Sequence, residues 1–316
     1  MKVLANDGIS KSGVVALEAG GFEVQTVKVA QEQLVNYINE NDITVLLVRS
    51  ATTARKDLID ACSGLKVIGR GGVGMDNIDV AYAREKGLSV INTPAASSSS
   101  VAELVFAHLF GGVRYLYDAN RNMPLDGDSK FKDLKKNYAK GRELRGKTIG
   151  IIGFGRIGRE VAKIALGLGM NVKASDSYVD EATITLDFYD GQQLNFHVKT
   201  EPISDLISES DFITLHVPAQ KEYVIGKAEI SQMKDGAAII NAARGGVIDE
   251  VALVEALDNG KLSFAALDTF EDEPKPAVKV LMNERMSLSP HIGAATNEAQ
   301  DRIGTELAEQ IISILA

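Results

Sequence analysis

Short apolar runs alternate with amphipathic segments along the whole chain. The first part contains the runs "KVLAN", "TVLLV", "LKVIG" and "LSVIN", which are rich in Val, Ile and Leu. A second series begins at Lys147 and contains "KTIGIIG", "NVKASD", "DFITLHV", "AAIINA", "SFAALD" and "RMSLS". Continuous apolar strands separated by helices are typical of parallel sheets that are covered on both faces. The pattern therefore predicts an α/β chain with two doubly wound parallel-sheet domains.

Two segments depart from this alternation. "PAASSSSVAEL" has the composition of a flexible linker, but Ser100 and Glu103 have the spacing of a capping box. That spacing favours a helix starting after Ser100, in the run "VAELVFAHLFGGVRYL". The segment "ITLDFYDGQQLNFHVKT" alternates apolar and polar residues around Asp190-Gly191 and predicts a β-hairpin. A last helix is predicted from about Asn297 to Leu315.

Composition narrows the class of protein. The chain has 316 residues, 45% of them hydrophobic and 24% charged, which is ordinary for a globular protein. The net charge of -9 argues against broad binding to nucleic acid or to anionic membranes. The single cysteine, Cys62, indicates a reducing compartment, and the first residues do not resemble a signal peptide. We therefore expect a cytoplasmic protein without a membrane span or a bound metal.

One motif has the spacing of a dinucleotide-binding turn. Gly153, Gly155 and Gly158 follow an apolar strand and open a helix, and Asp176 ends the next strand. In this arrangement the glycines permit a tight turn, close approach of a pyrophosphate and close packing of the helix on the sheet. Asp176 can accept a hydrogen bond from a ribose 2′-hydroxyl and would repel a 2′-phosphate. No arginine follows it in "SDSYVDE", so the motif favours NAD over NADP.

Three polar residues at predicted strand ends could catalyse hydride transfer to or from a carbonyl group. Arg244 ends "AAIINAAR", Glu273 closes the acidic run "ALDTFEDE", and His291 lies between a proline and an isoleucine in "SPHIG". Arginine can bind a carboxylate and a carbonyl oxygen together, and histidine can donate or accept a proton near neutral pH. A carboxylate beside the imidazole would fix its tautomer and stabilise its protonated form. The set predicts an anchor, a proton donor and a partner for the donor.

The order and number of the motifs resemble the D-2-hydroxyacid dehydrogenase family over nearly the whole length. The matching segments are "VRSAT" (48–52), "GRGGVGMDNID" (69–79), "NTP" (92–94), "SVAEL" (100–104), "LRGKTIGIIGFGRIGREVA" (144–162), "DFITLHVP" (211–218), "NAARGGVIDE" (241–250), "ALDTFEDEP" (266–274) and "SPHIGAAT" (289–296). The resemblance implies a Rossmann nucleotide domain inserted in a flavodoxin-like substrate domain. Residues 1–97 and 288–316 would form the substrate domain, and residues 98–287 the nucleotide domain.

By the same resemblance Arg244, Glu273 and His291 are catalytic residues. The implied cofactor-binding residues are Val73, Gly153, Phe154, Gly155, Arg156, Ile157, Gly158, Asp176, Val217, Pro218, Ala242, Ala243, Arg244, Asp268, His291, Gly293 and Ala294. The implied substrate-binding residues are Arg49, Ser50, Gly72, Val73, Gly74, Lys135, Arg244 and His291. The family also implies a homodimer held through the nucleotide domains. The remaining histidines are expected to be packed (His108), exposed (His197) and structural (His216).

The resemblance is strongest to the branch that oxidises D-3-phosphoglycerate to 3-phosphohydroxypyruvate for serine biosynthesis. Arg49 and Ser50 resemble phosphoglycerate-binding positions, and eight basic residues lie between Lys130 and Lys147, including Lys135. A solvated lysine-rich segment is an equally good interpretation of the latter. The alternatives are a reductase of hydroxypyruvate, glyoxylate or another 2-keto acid, and an NAD-gated corepressor that binds proteins. The chain ends soon after its last predicted helix, so we expect no inhibition by serine through a C-terminal regulatory domain.

Overall fold

The computed structural model describes residues 1–315. In chain order its strands are β1 (Lys2–Ala5), β2 (Glu23–Gln25), β3 (Ile43–Val48), β4 (Val67–Arg70), β5 (Ser89–Asn92), β6 (Thr148–Ile152), β7 (Asn171–Ser175), β8 (Glu181–Asp187), β9 (Gln193–Lys199), β10 (Phe212–Leu215), β11 (Ala237–Asn241), β12 (Leu262–Leu267) and β13 (Met286–Leu288). The α-helices are α1 (Lys11–Ala19), α2 (Leu34–Glu40), α3 (Lys56–Ala61), α4 (Val80–Glu85), α5 (Ser98–Val113), α6 (Leu116–Asp126), α7 (Phe131–Asn137), α8 (Arg156–Gly167), α9 (Ile203–Glu209), α10 (Lys227–Gln232), α11 (Glu250–Asp258), α12 (Val278–Leu281) and α13 (Asn297–Leu315). Short 3-10 helices span Gln31–Gln33 and Tyr138–Lys140. The predicted α/β fold with two parallel sheets is confirmed.

The chain divides into two compact units. Unit 1 comprises Met1–Ser100 and the segment from Ala294 onward, and unit 2 comprises Val101–Gly293. The division falls within α5 and directly after the loop that carries His291. The boundaries expected from the sequence lay three and six residues earlier, at residues 97 and 288. Because β13 pairs with β12 and the loop after it bonds to Asp268, residues 289–293 belong to unit 2.

Unit 1 contains a five-stranded parallel sheet in the order β2-β1-β3-β4-β5. Alternate residues of β3 bury their side chains on opposite faces of this sheet. Leu46 and Val48 pack in one apolar layer, and Val45 and Leu47 pack in the other. The second layer also receives α13, whose residues Ile303, Leu307 and Ile311 are buried. The sheet is therefore covered on both faces, as the continuous apolar run of β3 predicts.

Unit 2 contains a six-stranded parallel sheet in the order β13-β12-β11-β10-β6-β7. Ala238 and Ile240 of β11 pack in one apolar layer, and Ala237 and Ile239 pack in the other. The strands run in the same direction, so their carboxyl ends share one edge of the sheet. That edge is where ligands bind in open α/β sheets. The predicted hairpin is confirmed as the antiparallel pair β8 and β9, with Asp190 and Gly191 in its turn.

The start of α5 differs from the prediction. The helix begins at Ser98, so Ser100 lies inside its first turn and is not the N-cap residue. Ser98 and Ser100 are both buried, which places this serine run in a packed helix. Within residues 1–315, no helix is long and apolar enough to cross a membrane.

Candidate active site

The turn after β6 has the shape that a pyrophosphate-binding turn requires. Gly153 adopts φ +93°, and a Cβ atom there would lie 2.5 Å from the carbonyl oxygen of His216. A Cβ atom on Gly158 would collide with the carbonyl oxygen of Gly153. Gly155 is the N-cap residue of α8, and no atom lies within 4 Å of the place where its Cβ would be. An uncapped helix N-terminus beside open space suits a phosphate group.

The carboxylate of Asp176 is oriented by backbone amides at the end of β7. Its Oδ2 accepts a hydrogen bond from the amide of Phe154 at 2.6 Å, which joins β7 to the glycine turn. Its Oδ1 accepts from the amides of Tyr178 at 2.8 Å and Val179 at 3.1 Å. Asp176 remains half-buried, so part of the carboxylate faces the surface. A carboxylate held in this way can accept a ribose hydroxyl, and the residues of the turn therefore fit NAD.

The other expected cofactor residues of unit 2 lie at the same edge of the sheet. They are placed as follows: Arg156 and Ile157 begin α8, Val217 and Pro218 follow β10, Ala242, Ala243 and Arg244 follow β11, Asp268 follows β12, and His291 and Gly293 follow β13. The strands they follow are neighbours in one sheet. The structure thus gathers these residues in unit 2, whereas Ala294 and Val73 belong to unit 1.

Arg244 lies in a segment that a buried asparagine holds in place. Asn241 accepts a hydrogen bond from the amide of Ala243 at 3.0 Å and donates one to the carbonyl of Arg244 at 2.8 Å. The guanidinium is half-buried, and its Nη1 donates to the carbonyl of Ala243 at 2.7 Å. Sequence reasoning did not single out Asn241. A polar residue that closes an otherwise apolar strand was the signal that could have identified it.

His291 and Glu273 form the predicted pair. The Nδ1 atom of His291 lies 2.8 Å from Oε2 of Glu273. The other carboxylate oxygen, Oε1, accepts a hydrogen bond from the amide of Phe270 at 3.1 Å. Because the carboxylate accepts, Nδ1 carries the proton, and the lone pair of Nε2 remains available on the opposite side of the ring. The side chains of His291 and Glu273 are 42% and 37% exposed, so a substrate can reach the imidazole.

A mainly apolar wall lies beside this pair. Residues of unit 2 enclose a cavity of about 450 Å³. Its lining consists of Phe270, Glu273, Pro274, Pro276, Leu281, Leu288, Ser289, Pro290 and His291. The pair therefore borders a mainly apolar lining, while both of its side chains remain partly exposed.

The loop that carries His291 is held by Asp268. The carboxylate of Asp268 accepts hydrogen bonds from the Ser289 hydroxyl at 2.6 Å and from the amides of Ile292 and Gly293, each at 2.8 Å. His291 itself adopts φ +54°, a left-handed conformation that is unfavourable for a residue with a side chain. Such a conformation persists only where the surroundings fix it, and the bonds to Asp268 on both sides of His291 do so.

The expected substrate residues of unit 1 follow two adjacent strands. Arg49 and Ser50 follow β3, and Gly72, Val73 and Gly74 follow β4. The amide of Arg49 donates to Asp7, while its carbonyl accepts from Asn77, so the backbone of this loop is fixed. The carbonyl of Val73 accepts from Asn92. Lys135 is exposed on α7 of unit 2.

The other histidines occupy three different environments. His197 is exposed on β9, as predicted. His216 follows β10, where burial of its ring lowers the pKa to about 3. His108 is buried in α5, but it makes hydrogen bonds that its expected role as a packed residue did not anticipate. No group of three or more His, Cys, Asp or Glu residues suited to a metal occurs among residues 1–315.

Comparison with known proteins decides the family. The model of the "D-isomer specific 2-hydroxyacid dehydrogenase, NAD binding domain" matches residues 106–293. The chain belongs to this family. It is therefore an oxidoreductase with an NAD-binding domain, and its cofactor is NAD. The matched residues contain the glycine turn, Asp176, Arg244 and the His291–Glu273 pair.

Three relatives show the range of the family around this chain. A hydroxypyruvate reductase of Thermotoga maritima is 41% identical, with 99% of this chain and 98% of that protein covered. A D-3-phosphoglycerate dehydrogenase of Methanocaldococcus jannaschii is 40% identical; the match covers this whole chain but only 57% of that protein. A D-lactate dehydrogenase from Aquifex aeolicus, whose crystal structure contains NAD and lactic acid, is 29% identical in sequence. The two structures match with a TM-score of 0.74, and the match covers 100% of this chain and 95% of that one.

Proposed function

We propose that this protein oxidises D-3-phosphoglycerate to 3-phosphohydroxypyruvate with NAD, the reaction that begins serine biosynthesis. The observation that carries the chemistry is the 2.8 Å pair of His291 and Glu273 on a loop held by Asp268. The pair lies at the same sheet edge as the glycine turn. The phosphorylated substrate is supported by the 40% identical phosphoglycerate dehydrogenase, of which this chain spans about half.

His291 is the general base of the proposed oxidation. Its Nε2 removes the proton of the substrate hydroxyl as the bond from the carbon to hydrogen breaks. Glu273 stabilises the resulting imidazolium through Nδ1–H, and Arg244 binds the substrate carboxylate through its planar guanidinium. NAD supplies the hydride acceptor when it is bound. In the reverse direction the imidazolium of His291 donates its proton to the carbonyl oxygen.

A site for the substrate phosphate needs basic side chains. Because the net charge of the chain is negative, such a site has to consist of a few basic residues close together. Arg49 follows β3 in unit 1, where Ser50 beside it is exposed. In unit 2, Lys135 is exposed within the basic segment from Lys130 to Lys147. We assign Arg49 and Ser50 to the phosphate and add Lys135 as a further ligand. Val73 and the adjoining glycines bind the carboxylate end through their backbone amides.

We further propose a cytoplasmic homodimer that is held through unit 2. Three large apolar side chains of α6 and α7 are more than half exposed, namely Leu116, Leu125 and Phe131. A subunit contact in this segment would cover apolar side chains that are otherwise exposed. Cys62 is unpaired and buried, which supports a reducing compartment. Sedimentation of the purified protein would test the oligomeric state.

A second candidate function is reduction of hydroxypyruvate or glyoxylate. The specific observation in its favour is the 41% identical hydroxypyruvate reductase, nearly all of which this chain covers. The same three residues would catalyse it, because both reactions exchange a hydride at the carbon next to a carboxylate. Hydroxypyruvate lacks only the phosphate of 3-phosphohydroxypyruvate, and glyoxylate lacks the third carbon as well.

A substrate panel tests the proposal. NADH absorbance should be followed with D-3-phosphoglycerate and D-glycerate in oxidation, and with 3-phosphohydroxypyruvate, hydroxypyruvate and glyoxylate in reduction. We expect a higher kcat/KM for D-3-phosphoglycerate than for D-glycerate, and for 3-phosphohydroxypyruvate than for hydroxypyruvate or glyoxylate. Arg49→Ala should raise KM for phosphorylated substrates by about tenfold or more and leave KM for hydroxypyruvate nearly unchanged.

The matched control is Arg55→Ala, which removes another arginine of unit 1. Arg55 is engaged with Asp79 at 2.9 Å, so its loss should not change either KM. A kcat/KM that favours the unphosphorylated acids would replace the leading function by the second one. An unchanged KM for phosphorylated substrates in Arg49→Ala would remove Arg49 from the phosphate site.

The catalytic pair has its own test. His291→Ala should lower kcat by roughly a hundredfold to ten-thousandfold, the range of one general acid–base group, and should leave the Kd of NAD nearly unchanged. Glu273→Gln removes the charge that stabilises the imidazolium. Glu273→Gln should therefore lower kcat of the oxidation, because the imidazolium that forms when His291 takes the substrate proton loses its charged partner. Loss of NAD binding in His291→Ala would instead indicate a structural role.

A further inference from the structure

One buried histidine has no part in the proposed chemistry but is hydrogen-bonded at both ring nitrogens. His108 is 6% exposed on α5, among the apolar residues of the unit 2 core. Its Nδ1 lies 2.8 Å from the hydroxyl of Ser287, and its Nε2 lies 2.9 Å from the hydroxyl of Ser289. A ring that only filled space at this position would cost less if it were apolar. The hydrogen bonds therefore call for an explanation.

Asp268, which is bonded to Ser289, determines which atom donates in each of these hydrogen bonds. Both carboxylate oxygens of Asp268 already accept backbone amides, so the 2.6 Å contact with Ser289 uses the proton of the serine hydroxyl. Ser289 has no other proton, and its oxygen must accept from His108. The proton of His108 is then on Nε2. Its Nδ1 lone pair accepts the hydroxyl proton of Ser287.

Burial favours a single protonation state for this ring. Desolvation lowers the pKa of His108, and the opposing attraction of Asp268 is the smaller effect. A neutral imidazole with its proton on Nε2 satisfies Ser287, Ser289 and the ring itself. The four side chains thus form one directed chain of hydrogen bonds, from Ser287 through His108 and Ser289 to Asp268.

This chain ends on the residue that fixes the loop of His291. Asp268 holds Ser289 on one side of His291 and the amides of Ile292 and Gly293 on the other. The amide of His291 also donates to the carbonyl of Ser289 at 3.1 Å. A loop in a left-handed conformation costs on the order of 1–3 kcal/mol and needs such restraints. Loss of one restraint would let the imidazole turn away from Glu273.

We propose that His108 is a positioning residue: with its proton on Nε2, it directs Ser289 onto Asp268 and so holds His291 against Glu273. The inference rests on the proposed catalytic role of His291. His108 touches neither substrate nor cofactor in this assignment. Its effect is on the fraction of enzyme in which the general base points correctly, and a small misplacement of a catalytic group can cost about a hundredfold in rate.

Kinetics of five variants, one of them a double variant, test this role. His108→Leu removes both hydrogen bonds, while His108→Gln keeps an N–H donor that can reach Ser289. We expect His108→Leu to lower kcat by roughly tenfold to a hundredfold, with the KM of NAD unchanged, and His108→Gln to recover most of the rate. His197→Gln is the matched control, because it removes an exposed histidine of the hairpin. In a Ser289→Ala background, His108→Leu should add little further loss, since the chain is already broken.

A spectroscopic measurement tests the same inference without turnover. In ¹⁵N-labelled protein, the imidazole signals of His108 should report a proton on Nε2 and should titrate only below the ordinary pH range of histidine. The signals are assigned by their loss in His108→Gln. A proton on Nδ1, or titration near the ordinary value for histidine, would overturn the inference even if His108→Leu did not fold.

The outcomes separate this inference from the proposed function. Wild-type kcat in His108→Leu, together with an inactive His291→Ala, would overturn the role of His108 and leave the proposed function intact. Full activity in His291→Ala would overturn the catalytic assignment itself. A slow His108→Leu that His108→Gln does not restore would show that packing, and not the donor to Ser289, is what matters, and would also count against the proposal.

Discussion

Both units wind a parallel sheet, but the first turn of each sheet is built differently. In unit 1, β1 runs into Asn6 and Asp7, and the carboxylate of Asp7 accepts from the amides of Arg49 at 2.7 Å and Thr52 at 3.0 Å. In unit 2, β6 runs into Gly153 and the open position at Gly155. The first turn is filled by the protein's own polar side chains, and the second is left open.

The helices that follow these turns differ in the same way. Ser10 caps α1, because its hydroxyl accepts a hydrogen bond from the amide of Gly13 at 3.2 Å. Gly155 precedes α8 and makes no side-chain hydrogen bond to it. A helix N-terminus whose amide is capped by a serine offers fewer free amides to a phosphate than an uncapped one. The same winding thus gives a side-chain cap to α1 in unit 1 and none to α8 in unit 2, which supports the proposed cofactor site in unit 2.

The largest effect is expected when the turn of unit 2 receives a polar N-cap side chain like that of unit 1. Gly155→Asp places a carboxylate at the N-cap of α8, where the extended backbone of Gly155 (φ -75°, ψ -155°) suits it. We expect the Kd of NAD to rise about a hundredfold or more, because the new charge opposes the pyrophosphate. The helix should gain only about a few tenths of a kcal/mol from the cap, because glycine is itself a favoured N-cap residue. Titration calorimetry and thermal unfolding measure the two effects.

Two further variants separate charge from volume in that experiment. Gly155→Ala adds a methyl group that meets no protein atom within 4 Å, so it should weaken NAD binding less than the aspartate and leave stability nearly unchanged. Gly8→Ala lies in the turn of unit 1 at φ +81° and should cost about 1–2 kcal/mol without changing NAD affinity. NAD binding by Gly155→Asp at the wild-type Kd would remove the open turn from the cofactor site.

The two carboxylates provide a second, smaller contrast. Asp7→Ala leaves two amides and the Thr52 hydroxyl without an acceptor, and should lower the free energy of unfolding by about 1–3 kcal/mol with no change in NAD affinity. Asp176→Ala also removes an acceptor of three amides. It should in addition weaken NAD binding and reduce the preference for NAD over NADP. Equilibrium unfolding and kcat/KM for both cofactors distinguish the two variants.

A change of cofactor preference in Asp7→Ala would show that the two turns are not chemically distinct. Equal preference before and after Asp176→Ala would place the origin of NAD selectivity elsewhere in unit 2. Each carboxylate accepts three hydrogen bonds from its own unit, so the loss of hydrogen bonds alone should affect both variants similarly.

The sequence predicted those parts of the fold that depend on local pattern. Three local patterns each predict a structure that is observed: the apolar run of β3, the glycine spacing at Gly153 and the turn at Asp190. The pairing of His291 with Glu273 could be expected because family motifs carry both residues. Local pattern and motif order were sufficient for this much.

The contacts that support the site could not be predicted, because they join residues far apart in sequence. His108 and Ser289 are 181 positions apart, and nothing near either residue shows that they meet. The left-handed backbone of His291 depends on bonds to Asp268 from a different strand end. The helix start at Ser98 depends on burial of a serine run that resembles a linker. These features depend on packing between distant segments, which the sequence of one segment alone does not predict.

The smallest expected effect concerns the response of the two units to acid. All four histidines belong to unit 2, and burial keeps two of them, His108 and His216, neutral in the fold. A histidine whose folded pKa is lowered stabilises the fold fully above its unfolded value of about 6.5, and that stability is lost as the pH falls towards the folded value. For His216, with a folded pKa of about 3, the loss extends from about pH 6.5 to 3.

Acid should therefore loosen unit 2 before unit 1. The limiting slope for one such group is about 1.4 kcal/mol per pH unit, and we expect about half to two thirds of it for His216, since the residue is only half-buried. Between about pH 7 and 5, corrected amide exchange in β6 and β10 should accelerate more than in β1 and β3. His216→Leu should reduce this difference, because the leucine takes up no proton in the unfolded chain. Equal acceleration in both units, or no change in the variant, would mean that carboxylates common to both units govern acid stability, and that the histidines do not distinguish them.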